Sequence, residues 1–134
     1  MLVVDTSALI AFLRGSDRPV RALMRQLEQQ KTPWFLPLVC LQEVLQGARD
    51  DDEWLRLHAT LLGQRRLRVQ DEQAAHIEAA RIYFDCRRIG LTIRSTLDCL
   101  IAAQTLQVGG TLVHDDADFR LIATVRPLML LDGG

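Results

Sequence analysis

Acidic residues recur along this chain at places from which a fold could gather them. Asp5 ends a short apolar run. Glu43 lies within Leu41–Ala48, Asp98 within Thr96–Ala103, and Asp115, Asp116 and Asp118 follow Thr111–Val113. Two carboxylates about 4 Å apart repel by roughly 4 kcal/mol at an effective dielectric of about 20. Several in one pocket therefore cannot all stay ionised without a compensating charge. A divalent cation is the direct compensation, and an all-oxygen donor set favours Mg²⁺ or Mn²⁺. Zinc would want imidazole or thiolate ligands. His58, His76 and His114 form no i, i+4 pair, and Cys40, Cys86 and Cys99 follow no zinc spacing, so the cysteines read as free thiols. The chemistry open to an acid-and-metal site is attack of an activated water on a phosphodiester.

Each acid also has a local reading. Asp5 can cap the first helix, and Glu43 can be a solvated helix residue. Ser95-x-x-Asp98 has the form of a capping box. Asp115, Asp116 and Asp118 can complement a helix N-terminus. His114 reads as a strand-end residue rather than a ligand.

The elements around these acids decide whether they meet. Leu2-Val3-Val4 reads as a buried strand ending at Asp5, followed by a helix that Ser7 caps and Gly15 stops. Pro19 suits the first turn of a second helix with Val20, Leu23, Met24 and Leu27 on one face. Trp34–Val39 is a strand candidate in which Pro37 argues for an edge or an early end. Helical spacing then runs through Leu41, Val44 and Leu45, and again from Asp50–Asp52 through Trp54, Leu57 and Leu61. Leu67–Val69 is a short strand candidate. Asp71 caps a long helix carrying Ala74, Ile77, Ile82 and Phe84, and Ser95 opens another through Val108. Thr111–Val113 is a strand, Asp115–Asp118 opens a short helix, and Leu128–Leu131 closes with a strand. Apolar strands alternating with helices indicate α/β architecture, three layers deep, around a mainly parallel sheet of about four to five strands. Sites in such sheets form beyond the carboxyl ends of the strands where strand order reverses. Asp5 and Asp115–Asp118 occupy such ends.

Composition narrows the class. The 134 residues, 49% hydrophobic and 25% charged, read as one domain over positions 1–134. The longest apolar run, Ala8–Leu13, is too short for a membrane span, and Asp5 interrupts any signal-peptide pattern. A cytoplasmic protein with no membrane partner is expected. Net charge is −1, so any nucleic-acid attraction has to be local. Fifteen of the 16 basic residues are Arg, which suits bidentate phosphate contacts. Arg65, Arg66 and Arg68 form one local group; Arg87, Arg88 and Arg94 form another.

Val3-Val4-Asp5-Thr6-Ser7, Leu41–Ala48, Thr96–Ala103 and Leu112–Phe119 together resemble the signature stretches of PIN domains, above all the VapC-type toxin ribonucleases of type II toxin–antitoxin systems. The resemblance spans nearly the whole chain. It implies a PIN-like α/β/α fold and a Mg²⁺- or Mn²⁺-dependent endoribonuclease. On it, Asp5, Glu43, Asp98 and Asp116 fall on the family's catalytic, metal-binding acids. Asp118 falls on an additional acid, and Ser7 and Thr96 on supporting hydroxyls. Arg94 takes a place where a phosphate or acid-orienting contact is expected. His114 departs from the Thr or Ser of many relatives. A homodimer, an RNA substrate and a VapB-type antitoxin are implied as partners, with Leu9, Phe12, Leu13, Leu45 and Trp54 as candidate antitoxin contacts. A catalytically weak binding module on the same scaffold is the alternative. A phosphoacceptor receiver would carry an acidic pair at the first strand and a late Lys, whereas Lys31 is early. A dehalogenase-type phosphatase would carry Asp-x-Asp where the chain has Asp5-Thr6-Ser7.

Overall fold

The computed structural model describes residues 1–134. In chain order the elements are β1 (Leu2–Val4), α1 (Thr6–Leu13), α2 (Pro19–Gln29), β2 (Trp34–Leu36), α3 (Leu38–Gln46), α4 (Asp51–Leu62), β3 (Arg65–Arg66), α5 (Glu72–Arg88), α6 (Thr96–Gln107), β4 (Thr111–Val113), α7 (Ala117–Ile122) and β5 (Met129–Leu131). The five strands form one sheet in the order β3-β2-β1-β4-β5, and every pairing is parallel.

The chain steps outward from β1 through β2 to β3, then crosses to β4 and β5 on the other side. Right-handed crossovers put the helices of opposite steps on opposite faces of a sheet. The helices α1–α4 pack among themselves, as do α5–α7, and the two groups enclose the sheet as a three-layer α/β/α fold. The central strand β1 is covered on both faces, so Val3 and Val4 are fully buried, as are Leu112 and Val113 of β4. Leu9, Met24, Ile82, Ile101, Phe119 and Ile122 complete the same core from both layers.

Several expected boundaries shift for identifiable reasons. Asp5, not Ser7, is the N-cap of α1: its carboxylate accepts the Ser7 N–H at 2.9 Å. Pro37 ends β2 early and becomes the N-cap of α3. The edge strand is Arg65–Arg66 rather than Leu67–Val69. It pairs Phe35 with Arg65 and Leu36 with Arg66, and charged residues suit an exposed edge. Ile77 and Phe84 are exposed, while α5 buries Ala75, Ile82 and Cys86, because small side chains let it lie close against α6. Ser95 is the N-cap of α6, yet its side chain makes no cap bond, so the Ser95–Asp98 capping box is not formed.

Candidate active site

The order of strands reverses between β1 and β4, and the carboxyl ends of these two strands deliver the first acids. Val113 O accepts the Asp5 N–H at 3.0 Å, which ties the two strand ends together. Beyond this seam, Asp5 is buried and its carboxylate receives both the backbone N–H and the hydroxyl of Ser7. The Ser7 oxygen in turn accepts the Asp115 N–H at 2.8 Å. Ser7 therefore fixes the Asp5 carboxylate relative to the loop after β4.

That loop is rigid for local reasons. Asp116 caps α7, and its Oδ1 accepts the Asp118 N–H at 2.9 Å. The Asp116 N–H donates to His114 Nδ1 at 3.1 Å, which makes Nε2 the protonated ring nitrogen. His114 is fully buried edge-on to Phe119 at 5.4 Å. It shapes the loop from beneath and is not among the acids.

The first turn of α6 supplies Asp98. Oxygen atoms of Asp98, Asp116 and Asp118 all lie within 4.8 Å of one another. Burial first, and then the charges of Asp5, Asp116, Asp118 and Glu43, together push the Asp98 carboxyl up to about 8. Asp5 is pushed up to about 6, chiefly by burial, against the lowering effect of its Ser7 bonds and with a smaller raising effect from Glu43. Glu43 comes from α3 and is steered by Thr6, whose hydroxyl donates to Glu43 Oε1 at 2.8 Å. Four separate segments thus bring five acids together: oxygens of Asp98, Asp116 and Asp118 lie within 4.8 Å of one another, and the charges of Asp5 and Glu43 also reach Asp98.

Arg94, in the loop before α6, is the one cation of the two expected basic groups that touches these acids. Its backbone N–H donates to Asp118 Oδ2 at 2.9 Å, its Nε reaches the same oxygen at 3.4 Å, and Nη2 reaches Asp116 Oδ1 at 2.9 Å. Arg87 and Arg88 lie over the rings of Tyr83 and Phe84 instead, and Arg65 and Arg66 line the sheet edge. Thr96 is exposed at the start of α6 and bonds none of the acids. It opens on an apolar depression shared with Tyr83, Leu97 and Leu100.

Three site contacts had no assignment from sequence. These are the Thr6–Glu43 bond, the Cys40 thiol 4.0 Å from Asp5 Oδ1, and the paired bonds of Arg18 to Asp115. Burial and the Asp5 charge push the Cys40 thiol well above its ordinary range, so it stays protonated beside the acids. Arg18 holds Asp115 below the usual carboxylate range through its side-chain bonds. Asp115 therefore pairs outward while Asp116 faces the pocket.

The donor set tests the expected cation. It consists of carboxylate oxygens, with no free imidazole and a neutral thiol, and burial first, then neighbouring carboxylates, make the charged forms of Asp98 and Asp5 costly without a cation. Both features fit a hard divalent ion held by Asp5, Glu43, Asp98, Asp116 and Asp118 in some combination.

A separate groove of about 560 Å³ lies between α1, α3 and α4, lined by Ile10, Leu13, Val44 and Leu57, with Arg14, Arg49, Arg56 and the Arg49-paired Glu53 as its charged residues. Of the candidate apolar contacts, Leu13 lines it, and Phe12 and Leu45 are half-buried. Trp54 is exposed. Leu9 is core, at 1% exposure, and offers no surface.

The PIN domain family model matches residues 2–125. The chain is 36% identical over 131 residues to VapC ribonuclease Mb1587 of Mycobacterium bovis and to ribonuclease VapC11 of Mycobacterium tuberculosis, covering 96% of each chain. Its fold is similar to the DNA-bound VapBC structure from Salmonella typhimurium, with TM-score 0.74, 20% identity, and 99% and 98% of the two chains covered. It is likewise similar to FitAcB from Neisseria gonorrhoeae, with TM-score 0.73, 18% identity and the same coverage.

Proposed function

This chain belongs to the PIN domain family, and from that premise we propose that it is a VapC-type toxin: an endoribonuclease that hydrolyses RNA phosphodiester bonds with Mg²⁺ or Mn²⁺ and is restrained by a VapB-type antitoxin. The observation that carries the reading is the gathering of Asp5, Glu43, Asp98, Asp116 and Asp118 at the switch point of the sheet.

When bound, the cation supplies charge neutralisation and an acidified water able to attack phosphorus near neutral pH. The remaining work belongs to the chain's own side chains. Asp98 and Asp5, both buried, would supply charged oxygens once an ion offsets the burial and repulsion that favour their protonated forms. Ser7 holds Asp5 in one rotamer, and Thr6 turns Glu43 toward the pocket. Asp116 and Asp118 are fixed by the α7 cap and by Arg94. The exposed Arg94 guanidinium is the group placed to meet a phosphate that approaches the acids, which would otherwise repel RNA.

The groove between α1, α3 and α4 offers the antitoxin an apolar floor suited to the apolar face of an amphipathic segment, with arginines and Glu53 at its rim. Ile77, Phe84 and Leu97, left exposed on α5 and α6, are among the apolar residues available to the expected homodimer. A cytoplasmic site of action accords with an RNA substrate, and no helix is long and apolar enough to cross a membrane.

Sequencing RNA 5′ ends after brief induction of wild type and Asp98→Asn tests the reading. Discrete new ends with wild type alone are expected. Growth arrest without new ends would favour a binding module on the same scaffold.

A further inference from the structure

The position of Arg94 carries a consequence beyond phosphate binding. We propose that Arg94 is a built-in counter-cation of the acid pocket, which a divalent ion has to displace from Asp116 before the site is loaded. The inference rests on the reading of the pocket as a metal site, and goes beyond it by assigning this residue control over metal uptake.

The argument is geometric. Nη2 of Arg94 takes Asp116 Oδ1, the same oxygen that receives the Asp118 N–H, and Nε takes Asp118 Oδ2. Asp116 and Asp118 belong to the group of three whose oxygens lie within 4.8 Å of one another, near enough for one ion to draw on them together after a small shift of the side chains. An ion drawing on Asp116 therefore competes with the guanidinium for the same carboxylate.

Displacement is feasible because the two anchors of Arg94 differ. Its backbone N–H bond to Asp118 holds the loop whatever the side chain does. Its side chain is 72% exposed, and exposed Arg–carboxylate pairs are weak. The guanidinium can leave Asp116 without uncovering a buried group, and it remains tethered at the rim of the pocket. In the absence of metal it offsets part of the repulsion among the acids. In the presence of metal it opposes binding, by occupying a ligand and by its own positive charge.

The test is Mn²⁺ binding to the full-length wild type, Arg94→Gln and Arg94→Lys, read from the electron paramagnetic resonance signal of free Mn²⁺, with thermal melts in EDTA alongside. Arg94→Gln is expected to bind Mn²⁺ more tightly by up to about five-fold, the range set by loss of an exposed ion pair. It is also expected to melt earlier in EDTA and to recover with Mn²⁺. Arg94→Lys keeps the charge but loses the planar fork, and is expected to fall between the two. Equal or weaker Mn²⁺ binding by both variants overturns the proposal. No RNA enters the measurement, so the readings fail separately. Unchanged Mn²⁺ affinity with RNA cleavage retained removes the role of Arg94 alone. Tighter binding by the variants without RNA cleavage by any protein removes the nuclease and leaves the counter-cation.

Discussion

Ser7 and Asp115 stand 108 positions apart in the chain, yet the Ser7 hydroxyl oxygen accepts the Asp115 N–H at 2.8 Å while the same hydroxyl donates to Asp5. One side chain thus joins the acid after β1 to the loop after β4 that carries Asp116 and Asp118. The pocket depends on this join, because neither strand end alone fixes the distance between the two sets of carboxylates.

Replacing Ser7 with Ala is expected to lower RNA cleavage by roughly ten-fold, the effect typical of residues that orient a metal ligand. It should cost about 1 kcal/mol of stability through the lost bonds. The Asp5 carboxylate still accepts the backbone N–H of residue 7 and caps α1, so the fold survives. Cleavage assays and thermal melts of the variant check both figures, and unchanged Mn²⁺ affinity would remove Ser7 from the positioning of the site.

Asp98→Asn is expected to reduce cleavage by more than roughly 100-fold, beyond the range of residues that act through a ligand. The amide removes a charge from a crowded, buried place, so the metal-free variant should melt at or above the wild-type temperature at pH 8. A variant that is inactive because it is unfolded would melt earlier, and circular dichroism separates the two cases.

The raised carboxyls fix the sign of the pH dependence without metal. Asp98 at about 8 and Asp5 at about 6 hold protons in the folded state that the unfolded chain, with its ordinary values near 3.8, has already released. The folded state therefore binds more protons between about pH 4 and pH 8, and stability falls as pH rises through that window. Both residues contribute up to about pH 6, and Asp98 alone above it. Thermal melts in EDTA should drop by several degrees between pH 5 and pH 8, and Mg²⁺ should reduce the drop. An equal drop in Asp98→Asn would contradict the assignment.

Leu57→Glu places a charge in the groove between α1, α3 and α4, away from the acids. RNA cleavage by this variant should stay close to wild type, because Leu57 lines the groove and none of the site acids does. Co-expressed antitoxin should no longer relieve growth arrest. Relief equal to wild type would place the antitoxin elsewhere.

Much of this arrangement was legible in the sequence because its causes are local. Val3-Val4 before Asp5 and Leu112-Val113 before the acidic loop read as central parallel strands, and the ends of such strands are where the acids belong. The Asp5 alternatives proved compatible: the same carboxylate caps α1 and faces the pocket. Other features were not legible. Leu67 and Val69 look more strand-like than Arg65 and Arg66, but an exposed edge favours the arginines. Ser95-x-x-Asp98 has the pattern of a capping box, and only tertiary structure shows that the box is not made and that Asp98 faces other acids. The links Thr6–Glu43 and Arg18–Asp115 cross 37 and 97 positions, and no local pattern announces them.

The central claim is that distant segments share one divalent ion, and Mn²⁺ reports its own position. Crystals grown with Mn²⁺ should give an anomalous scattering peak within bonding distance of carboxylate oxygens from Asp98 and Asp116, lost in Asp98→Asn. A protein that cleaves RNA in Mn²⁺ yet shows no peak in this pocket, or shows one among other residues, would contradict the account.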